Sequence, residues 1–310
     1  MTLDDVRNQV YRTAIKRHAF ARNVMDLGTG AHLLLARLAV AAGAKRVDAV
    51  EANSTSYKFA QTYLKNPELA DKVALHHGFS CDISVGSPSD MIIHEIVGEV
   101  ASSEAVVMAI KDALLRHASE DVEVFPKRLR TCLSLMTNAP PAGFVRRGLS
   151  KIFGGHARQL TTRGFQCIYN PGTSQDILVS PVTVEDLRFD SKSSIASLQE
   201  VTANTAVAEI SATAQVVGFR LWPEIEVDGN ADTIISGQDI TNWSHLYFSF
   251  VDKPESVEAG AEVRIEFYAD TSTPQPHYKI RIRFPSGVGW IAEWRGTGYA
   301  AEIIEMARDG

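Results

Sequence analysis

The sequence predicts an α/β fold, a parallel sheet layered with helices, followed by an antiparallel β-barrel-like half. Three observations carry that prediction. Up to about Leu135, short β-rich runs alternate with helical stretches of roughly 10–15 residues, the pattern of βαβ units. From about Thr131 the texture changes to runs rich in Val, Ile, Thr and Phe, broken by Pro, Gly and Asp and nearly alternating in polarity. Between the first strand and the first long helical run lies Leu27-Gly28-Thr29-Gly30-Ala31, a glycine turn at the sheet edge where open α/β folds bind ligands.

Taken in order, Asn23–Asp26 reads as a strand, Ala31–Ala42 as a helix, Arg46–Glu51 as a strand and Ser54–Lys65 as helical. Val73–His76 and Asp90–His94 follow as strands, and Ser102–His117 as a helix. The second half offers strands at Asp176–Ser180, Thr205–Leu221, Trp243–Phe250, Val263–Tyr268 and Tyr278–Phe284. A length of 310 residues accommodates two domains at roughly 150 residues each. The division is expected at Phe125-Pro126, giving domains 1–126 and 127–310, with the weakly periodic stretch 140–172 an excursion from the second.

Composition narrows the function classes. The chain carries 31 Lys and Arg against 37 Asp and Glu, a formal net charge of −6. General nucleic-acid binders present a basic face and a high pI, so no nucleic-acid partner is expected. A hydrophobic share of 45% and a charged share of 22% are ordinary for a globular protein and exclude a disordered or collagen-like chain. Cys81, Cys132 and Cys167 lack CxxC spacing and read as reduced packing thiols. The polar, acidic N-terminus is unlike a signal peptide, and the longest apolar stretch, Leu33–Ala42, is too short to span a bilayer and contains Arg37. A soluble cytoplasmic protein without a membrane partner is the expectation.

The glycine turn is the first chemical signal. Gly28 and Gly30 let backbone approach a ligand closely, and the helix after them offers free N–H groups. A dinucleotide fingerprint wants a third glycine where this chain has Leu33, and Asp26 ahead of the turn would repel a pyrophosphate. A carboxylate there suits a ligand bearing an amino group and a sulfonium. Glu51, 25 residues after Asp26 at the tip of the second strand, is placed to accept the hydroxyls of a ribose. Together these point to S-adenosylmethionine over a nicotinamide dinucleotide.

The second signal follows the strand Asp90–Ile93. His94-Glu95-Ile96-Val97-Gly98-Glu99-Val100-Ala101-Ser102-Ser103-Glu104 holds two acids nine residues apart, Glu95 and Glu104, with Gly98 allowing a sharp turn between them. A hairpin-like loop would aim both carboxylates into one pocket, and paired carboxylates suit a planar cation with several N–H donors.

This segment resembles the double-E loop of protein arginine methyltransferases, which begins Ser-Glu-Trp-Met-Gly and has its second Glu nine residues after the first. The resemblance extends along the chain. Arg7, Tyr11, Ala14 and Ile15 fit the family's R-x-x-x-Y-x-x-A-I helix, and the stretches around Asp26 and Glu51 track its first two strands. Val124-Phe125-Pro126 resembles its crossing into the barrel, Gly218-Phe219-Arg220-Leu221-Trp222 its G-F-x-x-W strand, and Thr241-Asn242-Trp243 its Thr-His-Trp loop. The resemblance implies a Rossmann-like class I methyltransferase domain followed by a β-barrel-like domain. It implies N-methylation of a guanidino nitrogen, on an arginine-containing protein or a small guanidino compound, by a homodimer whose arm lies in the 140–172 excursion. Alternatives are O- or N-methylation of a different small molecule, or a non-catalytic scaffold.

Carried over by position, Arg7 would pair with the cofactor carboxylate. Asp26, Gly28, Thr29, Gly30, Glu51 and Ala52 would hold the cofactor, with Ser80 and Cys81 at the adenine edge and Glu95 alongside. Glu95 and Glu104 would be the catalytic guanidinium clamp, and His94, Asn242 and Trp243 would contact substrate. Four features depart from the family pattern. Cys81 replaces a Glu, Asn242 replaces the barrel-loop His, and Ile96 and Val97 replace Trp and Met. The chain also begins too close to the glycine turn for the family's N-terminal lid helix, which turns the expectation toward a small substrate.

The remaining candidates have plainer readings. His76 and His77 are neighbours on a strand and face opposite sides, against a shared metal. Glu99 reads as a solvated acid, and Trp222, Trp243, Trp290 and Trp294 as β-domain core or rim. Arg146, Arg147 and Lys151 form a small basic cluster suited to a partner contact.

Overall fold

The computed structural model describes residues 4–138, 165–169, 181–189, 191–229, 232–236, 238–239, 241, 243–250, 253–296 and 301–306. The expected strand Asp176–Ser180, the cluster of Arg146, Arg147 and Lys151, most of the 140–172 excursion, and Asn242 all lie outside the described residues.

The first half is a five-stranded parallel sheet. It opens with helix α1 (Asp5–His18), capped by the Asp4 side chain, which accepts the Arg7 N–H at 3.1 Å. Arg7, Tyr11, Ala14 and Ile15 recur at helical spacing and form its buried face. Strands β1 (Asn23–Leu27), β2 (Arg46–Glu51), β3 (Val73–His77), β4 (Ser89–His94) and β5 (Ala118–Phe125) lie in the order β3-β2-β1-β4-β5. Order reverses between β1 and β4, so the glycine turn after β1 and the acidic loop after β4 open side by side at the carboxyl edge. Helices α2 (Leu34–Ala41), α3 (Ser54–Ala60), α4 (Pro67–Ala70) and α5 (Val106–Arg116) make the connections.

Two helices start later than the sequence suggests. Leu33 has φ +50, and Glu104 and Ala105 have φ +60 and +61, so each chain leaves its loop through left-handed backbone before α2 or α5 can begin. Strand β5, read from sequence only as a crossing, extends the parallel sheet.

From β6 (Arg128–Met136) the pairing turns antiparallel. Strands β7 (Phe165–Tyr169), β8 (Val182–Arg188), β9 (Val201–Glu209), β10 (Ala214–Val216), β11 (Gly218–Glu226), β12 (Thr233–Ile235), β13 (Ser244–Ser249), β14 (Glu255–Val257), β15 (Glu262–Asp270), β16 (His277–Arg283), β17 (Gly289–Arg295) and β18 (Glu302–Met306) follow. One sheet runs β7-β13-β11-β6-β8 with β12 on β11; the other runs β18-β17-β16-β15-β9, and β10 pairs with β14. Alternate residues Leu133, Leu135, Phe219, Leu221, Leu246 and Phe248 of the first sheet pack against Ile265, Phe267, Ile280, Ile282 and Trp294 of the second. This is the α/β plus β-barrel-like architecture that the sequence predicts, with Trp222, Trp290 and Trp294 buried within it.

The halves do not have separate cores. Leu129, Leu187, Phe189, Ile225, Ile234 and Trp243 of the β half are buried in one cluster with Val24, Ile93 and Val124 of the parallel sheet. Among the described residues no helix is long and apolar enough to cross a membrane.

Candidate active site

The glycine turn is built around Asp26. Its carboxylate is fully buried; Oδ2 accepts the Thr29 hydroxyl at 2.5 Å and the Ala36 N–H at 2.9 Å, tying the turn to the first turn of α2. Oδ1 has no partner. A buried carboxylate oxygen left open is costly, and burial raises the group from an ordinary 3.8 to about 7. An ammonium donor would satisfy it. Gly28 and Gly30 have φ +68 and +69, a region that only glycine enters freely. Glu51 accepts the Gly30 N–H at 2.9 Å through one oxygen and the Asn53 N–H at 2.7 Å through the other, so strand β2 and the turn fix its carboxylate. Each oxygen keeps a lone pair for a hydroxyl donor. Ala52 beside it is exposed.

Ser80 and Cys81 lie in a short 3₁₀ turn after β3 (Ser80–Asp82). Ser80 is buried, and its carbonyl accepts from His117 at 3.0 Å and from Arg116. Cys81 is exposed, which corrects its reading as a packing thiol; burial and the charges of Asp82 and Asp112 raise it. Cys132 is buried and Cys167 half-buried.

The acidic loop is held from every side. The Tyr11 hydroxyl donates to the His94 carbonyl at 3.0 Å, and the Trp243 indole N–H donates to the Val97 carbonyl at 2.9 Å. Ala101 N–H donates to Thr131 Oγ1 at 2.8 Å, Ser102 N–H to Glu185 Oε2 at 3.2 Å, and the Ser102 and Tyr278 hydroxyls lie 3.0 Å apart. The loop folds back close to Gly98: a Cβ there would displace the Ser103 hydroxyl and lie 3.5 Å from Glu104 Cγ. Within the loop the Ser103 N–H donates to the Val100 carbonyl at 3.0 Å.

The two acids differ. Glu95 is enclosed and its carboxylate pairs with the Arg7 guanidinium, which also lies 5.1 Å over the Trp243 ring. Arg7 Nε lies 3.7 Å from Asp4 Oδ2 in an ion pair, whereas Nη2 is buried without a partner and is open to another carboxylate. Glu104 has no hydrogen bond or ion pair among the described residues. The residue is exposed. Both are raised from 4.5 to about 7, by burial first; Glu104 adds to the effect on Glu95, and Glu99 to that on Glu104. Glu99 is half-buried, beside Glu104, and 3.7 Å from the Cys167 thiol.

Two substrate-contact expectations change. His94 has 0% exposure, packs edge-on against Phe189 with ring centroids 5.6 Å apart, and is lowered by burial to about 3. No part of it is open to a ligand, because it lies within β4, covered on both faces. Trp243 is 5% exposed and supports the loop by its indole hydrogen bond. His76 and His77 go to separate partners, Asp48 at 2.8 Å and Ser54 at 3.1 Å. Thr131, Glu185 and Tyr278 escaped sequence reading, since nothing local marks them as neighbours of a loop some 30 to 180 residues away.

No family model matches the chain. It is 26% identical over 238 residues to a probable protein arginine N-methyltransferase 6.1 of Oryza sativa subsp. indica, covering 74% of this chain and 62% of that protein. The chain spans less than two thirds of the length of this relative, and about a third of a second rice relative named protein arginine N-methyltransferase 6.2. Among solved structures, the Trypanosoma brucei PRMT1 enzyme–prozyme heterotetramer with AdoHcy superposes with a TM-score of 0.73 at 15% identity, covering 96% of each chain. Arabidopsis thaliana protein arginine methyltransferase 10 gives 0.70 at 20% identity, covering 98% of this chain and 95% of that one. The chain is similar to protein arginine methyltransferases in sequence and shares their fold.

Proposed function

We propose that the chain is an S-adenosylmethionine-dependent N-methyltransferase acting on a guanidino nitrogen, that of arginine in a protein or of a small guanidino compound. The observation that carries this is Glu104, an exposed and unpaired carboxylate close enough to Glu95 to raise it, at the sheet edge it shares with the turn of Asp26, Gly28, Gly30 and Glu51. The similarity to arginine methyltransferases supports the same reading. Self-association as a homodimer belongs to the proposal.

S-adenosylmethionine, when bound, supplies an electrophilic methyl group on sulfur. The open oxygen of Asp26 and the open Nη2 donor of Arg7 match its ammonium and carboxylate, and Glu51 its ribose. The loop acids orient the acceptor. A guanidinium has a pKa above about 12, so no carboxylate deprotonates it beforehand. Glu104, with Glu95, would hold the planar cation so that one nitrogen faces the methyl group, and would favour charge shifting onto that nitrogen. Orientation of this sort is worth several kcal/mol of barrier, up to about 7–11 in well-aligned intramolecular cases. As the new N–C bond forms, the methyl–sulfur bond would break with the neutral thioether as leaving group, and a carboxylate of the clamp can then accept the proton from the nitrogen.

The direct test is binding of S-adenosylhomocysteine by calorimetry, then mass-spectrometric detection of methyl transfer to an arginine peptide and to free arginine. Transfer to either acceptor is expected; binding without transfer to any guanidino acceptor removes the substrate assignment, and absence of binding removes the activity.

The raised carboxyls also set a pH dependence. Below about pH 7, Glu95 and Glu104 take up protons and lose their hold on a cation, whereas the guanidinium stays charged throughout. The kcat/KM is expected to climb from about pH 6 to about pH 8, more steeply than one ionisation allows, with kcat shifted to lower pH because the bound cation favours the ionised clamp. A profile flat across that range would remove the clamp's dependence on charge.

A further inference from the structure

We propose that Glu185, on strand β8 of the β half, is a positioning residue for Glu104; the proposal rests on the reading of Glu104 as the acceptor clamp. Strand β8 is irregular at this point. Thr131 pairs with Glu185 but the next residue, Cys132, pairs with Thr183, so Val184 is an extra residue in a β-bulge. The bulge breaks the alternation of β8: Val184 and Glu185 are both buried, where a regular strand would turn one of them to solvent. It spends an inward position on a carboxylate.

That carboxylate meets the acidic loop two residues before Glu104. Glu185 Oε2 accepts the Ser102 N–H at 3.2 Å and the Thr131 hydroxyl at 2.7 Å, and Thr131 Oγ1 in turn accepts the Ala101 N–H at 2.8 Å. Two successive amides of the loop are thus received by one pair of side chains. The Ser102 hydroxyl reaches Tyr278 of the opposite sheet, and Ser103 closes back on the Val100 carbonyl through its hydroxyl at 2.7 Å and its N–H at 3.0 Å. Beyond these anchors the chain enters the left-handed backbone of Glu104 and Ala105 and then α5. Glu104 itself has no side-chain partner to orient it, so its direction is set by the anchored backbone on either side. Glu185 Oε1 is buried and unpartnered, a cost that a packing role alone does not repay and that an apolar residue would avoid.

The test compares Glu185→Ala, Glu185→Gln and Thr131→Val with the unaltered chain. Glutamine keeps an acceptor oxygen for Ser102 and Thr131; alanine does not. Amide hydrogen exchange over residues 102–105 is expected to quicken at least about tenfold in Glu185→Ala and Thr131→Val and to stay near the original in Glu185→Gln. Affinity for S-adenosylhomocysteine is expected to hold within about twofold, while kcat/KM for an arginine peptide falls about 100-fold in Glu185→Ala and recovers largely in Glu185→Gln. Unchanged exchange over 102–105 in a folded Glu185→Ala overturns the proposal, as does a parallel loss of cofactor and acceptor affinity. If Glu185→Ala does not fold, Thr131→Val carries the same comparison. Should the unaltered chain bind no S-adenosylhomocysteine, the methyltransferase reading fails, and the exchange comparison still decides whether Glu185 fixes the backbone of Glu104.

Discussion

Replacing Glu104 by glutamine is expected to lower methyl transfer roughly 100- to 1,000-fold while leaving S-adenosylhomocysteine affinity within about twofold, the size seen when one preorganised electrostatic group is removed. The substitution keeps shape and removes charge at the one acid of the clamp that no side chain neutralises. Glu95→Gln is the less clean experiment, because it also releases Arg7, the residue proposed to pair with the cofactor carboxylate. Stability should move the other way. The folded-state pKa of Glu104 lies above its ordinary value, so the ionised group weighs against the fold as pH rises from about 4.5 through 7. Glu104→Gln is therefore expected to melt at pH 8 no lower than the original chain. Full turnover with an intact fold would sink the assignment of Glu104.

The largest structural effect is expected from Gly218→Ala. Gly218 opens β11, between Met136 of β6 and Ser249 of β13. A Cβ there would overlap the Phe248 carbonyl oxygen and stand 3.0 Å from both the Phe248 carbonyl carbon and Ser249 Cα. These are backbone atoms of a paired strand, which cannot rotate away as a side chain can. The expected cost is about 3 kcal/mol or more, at the upper end of overpacking effects, corresponding to a melting temperature lower by about 5 °C or more. Gly229→Ala is the control: Gly229 has φ +88 but open space around its Cβ position, so backbone strain of about 1–2 kcal/mol is all it should show. Equal melting of the two variants would mean that β11 and β13 separate at little cost. Because β11 also pairs with the strand carrying Thr131, Gly218→Ala is a sensitive probe of how the barrel supports the acidic loop.

Much of the site is legible because its signals are local. The turn from Asp26 to Gly30 depends on positive φ and on a carboxylate four residues or fewer away, and both are visible in a short window. Gly98 between Glu95 and Glu104 is of the same kind, since the loop must pass close to itself there. The burial of His94 and the half-burial of Glu99 are not readable in the same way. A histidine at a strand end and an acid in a loop have the same local appearance whether buried or open, and only the neighbouring strands decide. The same holds for the late start of α5, where the left-handed backbone at Glu104 and Ala105 belongs to the loop's closure rather than to helix propensity.

By itself the sequence determined the parallel sheet, the change to antiparallel pairing, the glycine turn and the spacing of the two acids, because periodicity and turn chemistry act over a few residues. The tertiary structure alone decided that Arg7 occupies Glu95, that Glu104 stands exposed and unpaired, and that a bulge turns Glu185 onto the loop. Those relations depend on which strands pair and in what register, and shifting a register by one residue turns every side chain to the other face. No short stretch of chain encodes that choice; it is made when distant strands bury their apolar faces together, and the charges at the site are carried into place by it.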